Sequence, residues 1–381
     1  MFSWMGRIAA ACWGTVRRYA RMRKDEEEDD DALLWSRDIG RHAAGDFSFA
    51  VVQANEVLED HSQVEIGRDA TFVGVYDGHG GADASRYISK HLFLHLMRYA
   101  QESGTISEDV VRSAFSATEE DFLAHVRRTR EIKPLIAATG SCCLVGVIWR
   151  GTLYLANLGD SRAVVGYLGR SNNIITEQLT RDHNASMEDV RQELKSLHPD
   201  DSNIVALKHG VWRIKGIIQV SRTIGDAYLK KPEFALDPSI TRFCPAEPLC
   251  RPVLTAEPSV FTRTFLPQDK FVIFASDGLW EHLSNQQAVE IVHNHPREGI
   301  ARRLIRTALQ EAARKREMRY ADLKKVDKGI RRFFHDDITV IVIYIDHEFF
   351  LGPKASVAEL SIHGFADAVG PSKFSTLDGT N

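Results

Sequence analysis

From Phe47 onward the chain runs in short stretches of β-branched and aromatic residues bounded by polar ones: FSFAVVQ, SQVEI and TFVGVYD. Such stretches predict strands. Past Ala82 the period changes, and Tyr87, Ile88, His91, Leu92 and His95 share one helical face, predicting a helix to about Arg98. A second helix is expected over about Ser107 to Thr129, opening on Ser107 as N-cap with Glu108 and Asp109 in the first turn. SCCLVGVIW and TLYLANL read as strands joined by a tight hairpin at Arg150-Gly151, and RAVVGYL follows Gly159-Asp160-Ser161. Residues 180 to 235 alternate helical and irregular stretches, as an insertion lying over a scaffold does. The strand FVIFAS, two helices over roughly Asn285 to Met318 and the strand ITVIVIYI complete the pattern. Strand clusters joined by hairpins and separated by helical pairs predict an α/β chain of the α+β type, with antiparallel sheets covered by helices.

The two ends differ from this middle. Asp25 to Asp31 is an unbroken acidic run of seven residues, whose mutual repulsion makes it a natural linker. Before it, Met1 to Lys24 has no acidic residue and carries Arg7, Arg17, Arg18, Arg21, Arg23 and Lys24. Wound as a helix, Trp4, Ile8, Ala11, Thr15, Tyr19 and Met22 share a face, while Arg7, Arg17, Arg18, Arg21 and Lys24 group on another. A solvated or self-docked extension, an interfacial helix on anionic lipid and an organelle transit peptide are the competing readings. After Phe350 small and polar residues dominate. The expected organisation is a basic amphipathic segment with its linker over 1–46, a folded domain over 47–346 and a loosely ordered tail over 347–381.

Composition narrows the classes. A chain of 381 residues with 44% hydrophobic content builds a real core. With 48 basic and 52 acidic residues the formal net charge is -4, so no global field points to nucleic acid. Five cysteines without CxxC spacing argue against a disulfide framework and for a reducing compartment, the cytoplasm or nucleus, with the plasma membrane reached only through residues 1–24. Cys142 and Cys143, side by side in an apolar run, read as small core fillers on opposite faces of a strand. The basic stretch Arg314 to Arg332 reads as a solvated helix and loop, with a nuclear signal or an acidic-partner patch as alternatives.

The acids carry the chemistry. Asp77 ends an apolar strand and is followed by Gly78-His79-Gly80-Gly81, Asp277 ends another and is followed by Gly278, and Asp336-Asp337 precedes a third. Glu59-Asp60 sits where the chain must reverse between the first two strands. Carboxylates converging at strand mouths are partly desolvated and repel one another unless cations neutralise them. Oxygen ligands without a thiolate or histidine cluster select hard cations, magnesium or manganese, over zinc. His79, between glycines, has little packing role and is placed to give a proton to a departing alkoxide. The chain has no GxxxxGK[ST] loop, HExxH helix, GxSxG elbow or GxGxxG turn after a strand.

Together these residues resemble the type 2C, metal-dependent family of protein phosphatases, over roughly Phe47 to Asp346. VYDGHGG (75 to 81) is similar to the family's signature loop, LYLANLGDSRAVV (153 to 165) to its central hairpin, LTRDH (179 to 183) and SRTIGDAYLK (221 to 230) to its middle motifs, and ASDGLWE (275 to 281) and HDDITV (335 to 340) to its last two. The segments VVQANEVLEDHSQVE and ARKREMRYADLKKVDKGIRRFFHDD are similar to one group of plant members. The resemblance implies a four-layer sandwich of two antiparallel sheets flanked by helices. It also implies a serine/threonine phosphatase that restrains kinase signalling, acts on phosphorylated proteins as a monomer and answers to a regulatory protein. By the same resemblance Asp77 bridges two magnesium or manganese ions, and the Gly78 carbonyl binds one of them. Asp277 and Asp336 complete the other ion, Glu59 and Asp60 stand at the edge, Asp160 matches a weaker third ion and His79 the general acid. Family members often place a phosphate-holding arginine four residues before the Glu of the Glu-Asp pair; here that position is Asn55. Asp337 stands at a common Asn position, Asn184-Ala185 replaces a more usual Lys-Pro, and Glu281 a frequent Asp. The alternative from another class is a catalytically weak scaffold that binds phosphoproteins or regulators.

Overall fold

A computed structural model describes residues 31–245, 249, 251–351 and 357–374. The basic segment Met1 to Lys24, with its amphipathic-helix reading, lies outside them. The strands that build the scaffold are β1 (Leu34–His42), β2 (Gly45–Val52), β3 (His61–Ile66), β4 (Ala70–Tyr76), β5 (Cys143–Trp149), β6 (Thr152–Leu158), β7 (Arg162–Leu168) and β8 (Ile174–Gln178). After a small hairpin of β9 (Val205–Lys208) and β10 (Val211–Ile214) come β11 (Ser259–Thr264), β12 (Asp269–Ala275), β13 (Ile338–Tyr344), β14 (Leu360–His363) and β15 (Ala366–Gly370). The long helices are α1 (Asp83–Ser103), α2 (Glu108–Thr129), α3 (Glu188–Leu197), α4 (Asn285–Asn294) and α5 (Ile300–Lys315).

Two sheets result. One has six strands in the order β1-β2-β13-β12-β7-β8, the other seven in the order β11-β6-β5-β4-β3-β14-β15, and neighbours in both run antiparallel. Alternate strand residues point to opposite faces, so each sheet presents two apolar surfaces and both must be covered. Phe49, Phe274, Leu144, Val73 and Ile341 pack between the sheets. Phe72, Val145 and Val147 pack outward on Ile88, Leu92 and Phe115 of α1 and α2, while Val340, Val342 and Ile273 pack on Ala301, Leu304 and Ile305 of α5. The layers therefore run helix, sheet, sheet, helix. Each fully buried Phe, Leu or Ile in them contributes about 1.5–3 kcal/mol.

Local signals hold where they were specific. Ser107 caps α2 by accepting from the Val110 N–H, and Arg150 and Gly151 take φ of 50° and 77°, as a type I′ hairpin requires. The expected boundaries need correction at both ends. The fold begins before Phe47, because β1 pairs along β2 from Leu34 opposite Val52 to His42 opposite Gly45. As an edge strand carrying Arg37, Asp38 and Arg41, β1 lacks the apolar run that marks an interior strand. The tail is not uniformly loose either: β14 pairs with β3, and Phe374 packs on Phe93 with ring centroids 4.9 Å apart. Covering an otherwise open edge and an apolar helix face outweighs the tail's weak local propensity.

Candidate active site

The mouths of β4, β12 and β13 open on one cleft of about 910 Å³, lined by Glu59, Asp77, Gly78, His79, Asp160, Asp277 and Asp336 among others. Close backbone approach makes this convergence possible at two glycines. A Cβ on Gly78 would stand 2.6 Å from the Glu59 carbonyl oxygen, and one on Gly278 would stand 2.3 Å from that of Asp337. Asp337 itself is turned away from the cleft. It accepts the Ala54 and Asn55 N–H groups on Oδ1 (2.7 and 3.0 Å) and the Glu59 N–H on Oδ2 (2.8 Å). Both oxygens of an Asp, not the single one of an Asn, are needed for that clasp.

Asp60 lies beneath the cleft, 2% exposed, its Oδ2 accepting the hydroxyls of Ser276 (2.9 Å) and Thr339 (2.7 Å). Burial and then Asp337 raise its pKa well above the ordinary carboxylate range. Burial raises Asp77 too, with Asp277, Asp60, Asp336 and Asp160 adding to it, and the same holds for Asp277 through Asp160 and Asp336. Burial likewise raises Glu59. Four or more carboxyls that each prefer to be neutral are a site built for positive charge. Asp336 accepts from the Asn55 amide on Oδ1 (3.2 Å) and from Arg332 on Oδ2 (2.6 Å).

Two residues of the site were not singled out from sequence. Cys142, read as a core filler, is buried but faces the acids: its thiol donates to Asp160 Oδ1 at 3.3 Å, and Asp77, Cys142 and Asp160 each offer an atom within 4.8 Å of the others. Asn184 holds the other Asp160 oxygen at 2.6 Å. Cys143, on the opposite face, is in the outer core as expected. The second is Asp226, whose Oδ2 lies 2.8 Å from His79 Nε2 and accepts the Thr223 hydroxyl at 2.8 Å. Gly140 sits between two short pairings, with Gly78-His79 on one side and Ile224-Gly225 on the other, and this brings residues 147 positions apart together. A Cβ on Gly140 would meet Asp226 Oδ2 at 2.1 Å and His79 Nε2 at 2.5 Å. Burial alone would lower the His79 pKa; the Asp226 carboxylate, helped by Glu59 and Asp160, overrides it and raises it. The signal for Asp226 was its place in SRTIGDAYLK, and at φ 49° it holds a left-handed conformation uncommon outside glycine.

The sequence model described as Protein phosphatase 2C matches residues 46–317. A rice (Oryza sativa subsp. japonica) protein named Probable protein phosphatase 2C 25 is 73% identical over 384 residues, covering 99% of each chain. Probable protein phosphatase 2C 68 of Arabidopsis thaliana is 67% identical, covering 98% of this chain and 99% of that one. Among solved structures, serine-threonine phosphatase 2C from Toxoplasma gondii superposes with a TM-score of 0.60 at 18% identity, over 82% of this chain and 99% of that one. A C. elegans sex determining protein gives 0.57 at 19%, over 80% and 66%. At under 25% identity these two attest the fold, and the plant relatives attest the family. A family match across most of the chain, full-length plant relatives and acids gathered at strand mouths agree: the chain belongs to the protein phosphatase 2C family and is a protein serine/threonine phosphatase.

Proposed function

We propose that the chain hydrolyses phosphoserine and phosphothreonine in proteins with two divalent cations, magnesium or manganese, and so restrains kinase signalling. The observation that carries this reading is the set of carboxyls of Asp77, Asp277 and Asp336, which line one cleft and repel one another there. The residues fit such ions, because the proposed donors are oxygens and, of the strand-mouth acids Asp77, Asp277 and Asp336, Asp336 is the one paired with a described cation, Arg332. Asp77, the Gly78 carbonyl, Asp277 and Asp336 would hold them, with Glu59 and Asp60 at the edge and Asp160 for a weaker third. Bound cations supply Lewis-acid activation of water and screening of the phosphoryl oxygens.

The remaining work belongs to the chain. His79, its imidazolium favoured by Asp226, keeps a proton at the cleft wall and gives it to the departing serine or threonine oxygen. The Asp337 clasp fixes the Ala54 to Glu59 loop, and with it Glu59 and Asp60. The test is hydrolysis of a phosphothreonine peptide by purified protein with millimolar manganese, then with chelator. Turnover should appear with the metal and vanish on chelation. Full turnover in metal-free buffer overturns the two-cation reading, and binding of the phosphopeptide without turnover in manganese points to the scaffold alternative.

A further inference from the structure

We propose that Arg332 is the side chain that holds the phosphoryl group of the substrate, a role for which Asn55 has no charge. This rests on the two-cation reading above. A phosphate dianion entering the cleft faces Glu59, Asp77, Asp160, Asp277 and Asp336, so it needs a fixed positive partner beyond dissociable ions. Several cations line the cleft. Lys215 is committed to Asp201 (2.9 Å), and Arg213 donates to the Ile217 carbonyl (2.8 Å). Lys208 and Arg242 are exposed, and among the described residues neither pairs with a carboxyl of the cleft. Arg332 alone among the described lining cations has its guanidinium on a carboxyl of the strand-mouth set, Asp336 Oδ2.

Its attachment is stable at one end and weak at the other. The backbone that presents it is locked by the preceding residue, since Arg331 is fully buried against Asp31. The Arg332 side chain is 51% exposed, so solvent screens its end of the pair with Asp336. It can therefore leave Asp336 at little cost once that carboxylate is engaged elsewhere. A planar guanidinium then offers a phosphoryl group two parallel N–H donors, which an ammonium cannot match. The Asn55 amide occupies the other oxygen of Asp336, so position 55 serves the carboxylate and leaves the phosphoryl group to Arg332.

Inorganic phosphate is the probe, titrated by calorimetry into manganese-loaded full-length protein, with manganese binding measured separately. In Arg332→Ala the phosphate dissociation constant should rise about 10- to 100-fold, the range for a lost charge-assisted contact. Arg332→Lys should fall between this and the unaltered protein. Manganese affinity should stay within about threefold, and kcat/KM on a phosphothreonine peptide should drop in step with phosphate binding. A residue that merely positions Asp336 would do the reverse, weakening manganese and sparing phosphate. That result, or phosphate affinity unchanged in Arg332→Ala, overturns the assignment. Failure of the underlying reading is distinct, because the unaltered protein would then show no manganese-dependent hydrolysis at all.

Discussion

The carboxylate of Asp31 and the guanidinium of Arg331 meet in a two-point ion pair, 2.8 Å at each contact, with side chains 1% and 0% exposed. Residue 31 is the last of the acidic run, and Arg331 lies five residues before Asp336. The start of the folded chain is thereby fastened to the loop that delivers an acid to the cleft. Arg331 also donates from Nε to His335 (3.1 Å), so the loop is braced on both sides.

Breaking that pair leaves a buried charge without a partner, and Asp31→Ala should cost about 3–5 kcal/mol of stability. Its pH dependence has a definite sign. Burial by itself would raise the Asp31 carboxyl, but Arg331 overrides it and holds it below the ordinary value. In the window between the two values the unfolded chain binds more protons, so stability rises with pH there. The contribution is complete above the ordinary carboxylate value and is lost as pH falls through the folded one. Denaturant midpoints of the unaltered protein and Asp31→Asn should therefore converge as acid is added; curves that stay parallel from neutral pH to acid would argue against the pair.

Asp77 lines the cleft, whereas Asp60 lies below it with two hydroxyls on one oxygen. Asp77→Asn should reduce manganese-dependent hydrolysis about 10²-fold or more, and Asp60→Asn considerably less. Removing one of several repelling charges also relieves the metal-free protein. Asp277→Asn should raise its melting temperature by a few degrees, at about 2–4 °C per kcal/mol for domains of 150–250 residues, while abolishing the rise that manganese gives the unaltered chain. Thermal melts with and without manganese check both halves.

His79→Ala should slow phosphothreonine hydrolysis about 10²–10⁴-fold and slow an aryl phosphate far less, since a phenolate leaves without help from an acid. Equal losses on both substrates would remove the proton-donor role. Gly140→Ala forces a methyl between His79 and Asp226 and should reproduce the selective loss, together with about 1–3 kcal/mol of destabilisation.

If Met1 to Lys24 is an interfacial anchor, full-length protein should sediment with anionic vesicles at low salt and release as salt rises. Deleting residues 1–24 should abolish sedimentation and leave peptide hydrolysis intact, because the candidate ligands lie from Glu59 onward. Failure to sediment at low salt assigns the segment to a solvated extension.

The sequence by itself determined the interior strands, the long helices and the Ser107 cap, because these rest on local periodicity and on short-range hydrogen bonds such as Ser107 to Val110. It also placed Asp77, Asp277 and Asp336 at strand ends, where alternation stops and a carboxylate can face a cleft. The tertiary structure alone decided which of these acids share a cavity, and which acid backs His79. Asp226 lies 147 residues from His79 and reaches it only because Gly140 lets two short strands close on either side. The same limit hid β1 and β14, which exist to cover a sheet edge, and the Asp31–Arg331 pair, whose partners are 300 residues apart. Local pattern records what a segment can become next to water or an apolar surface. Which surface it meets depends on the closing of the sandwich, and that has no signature in any single stretch of chain.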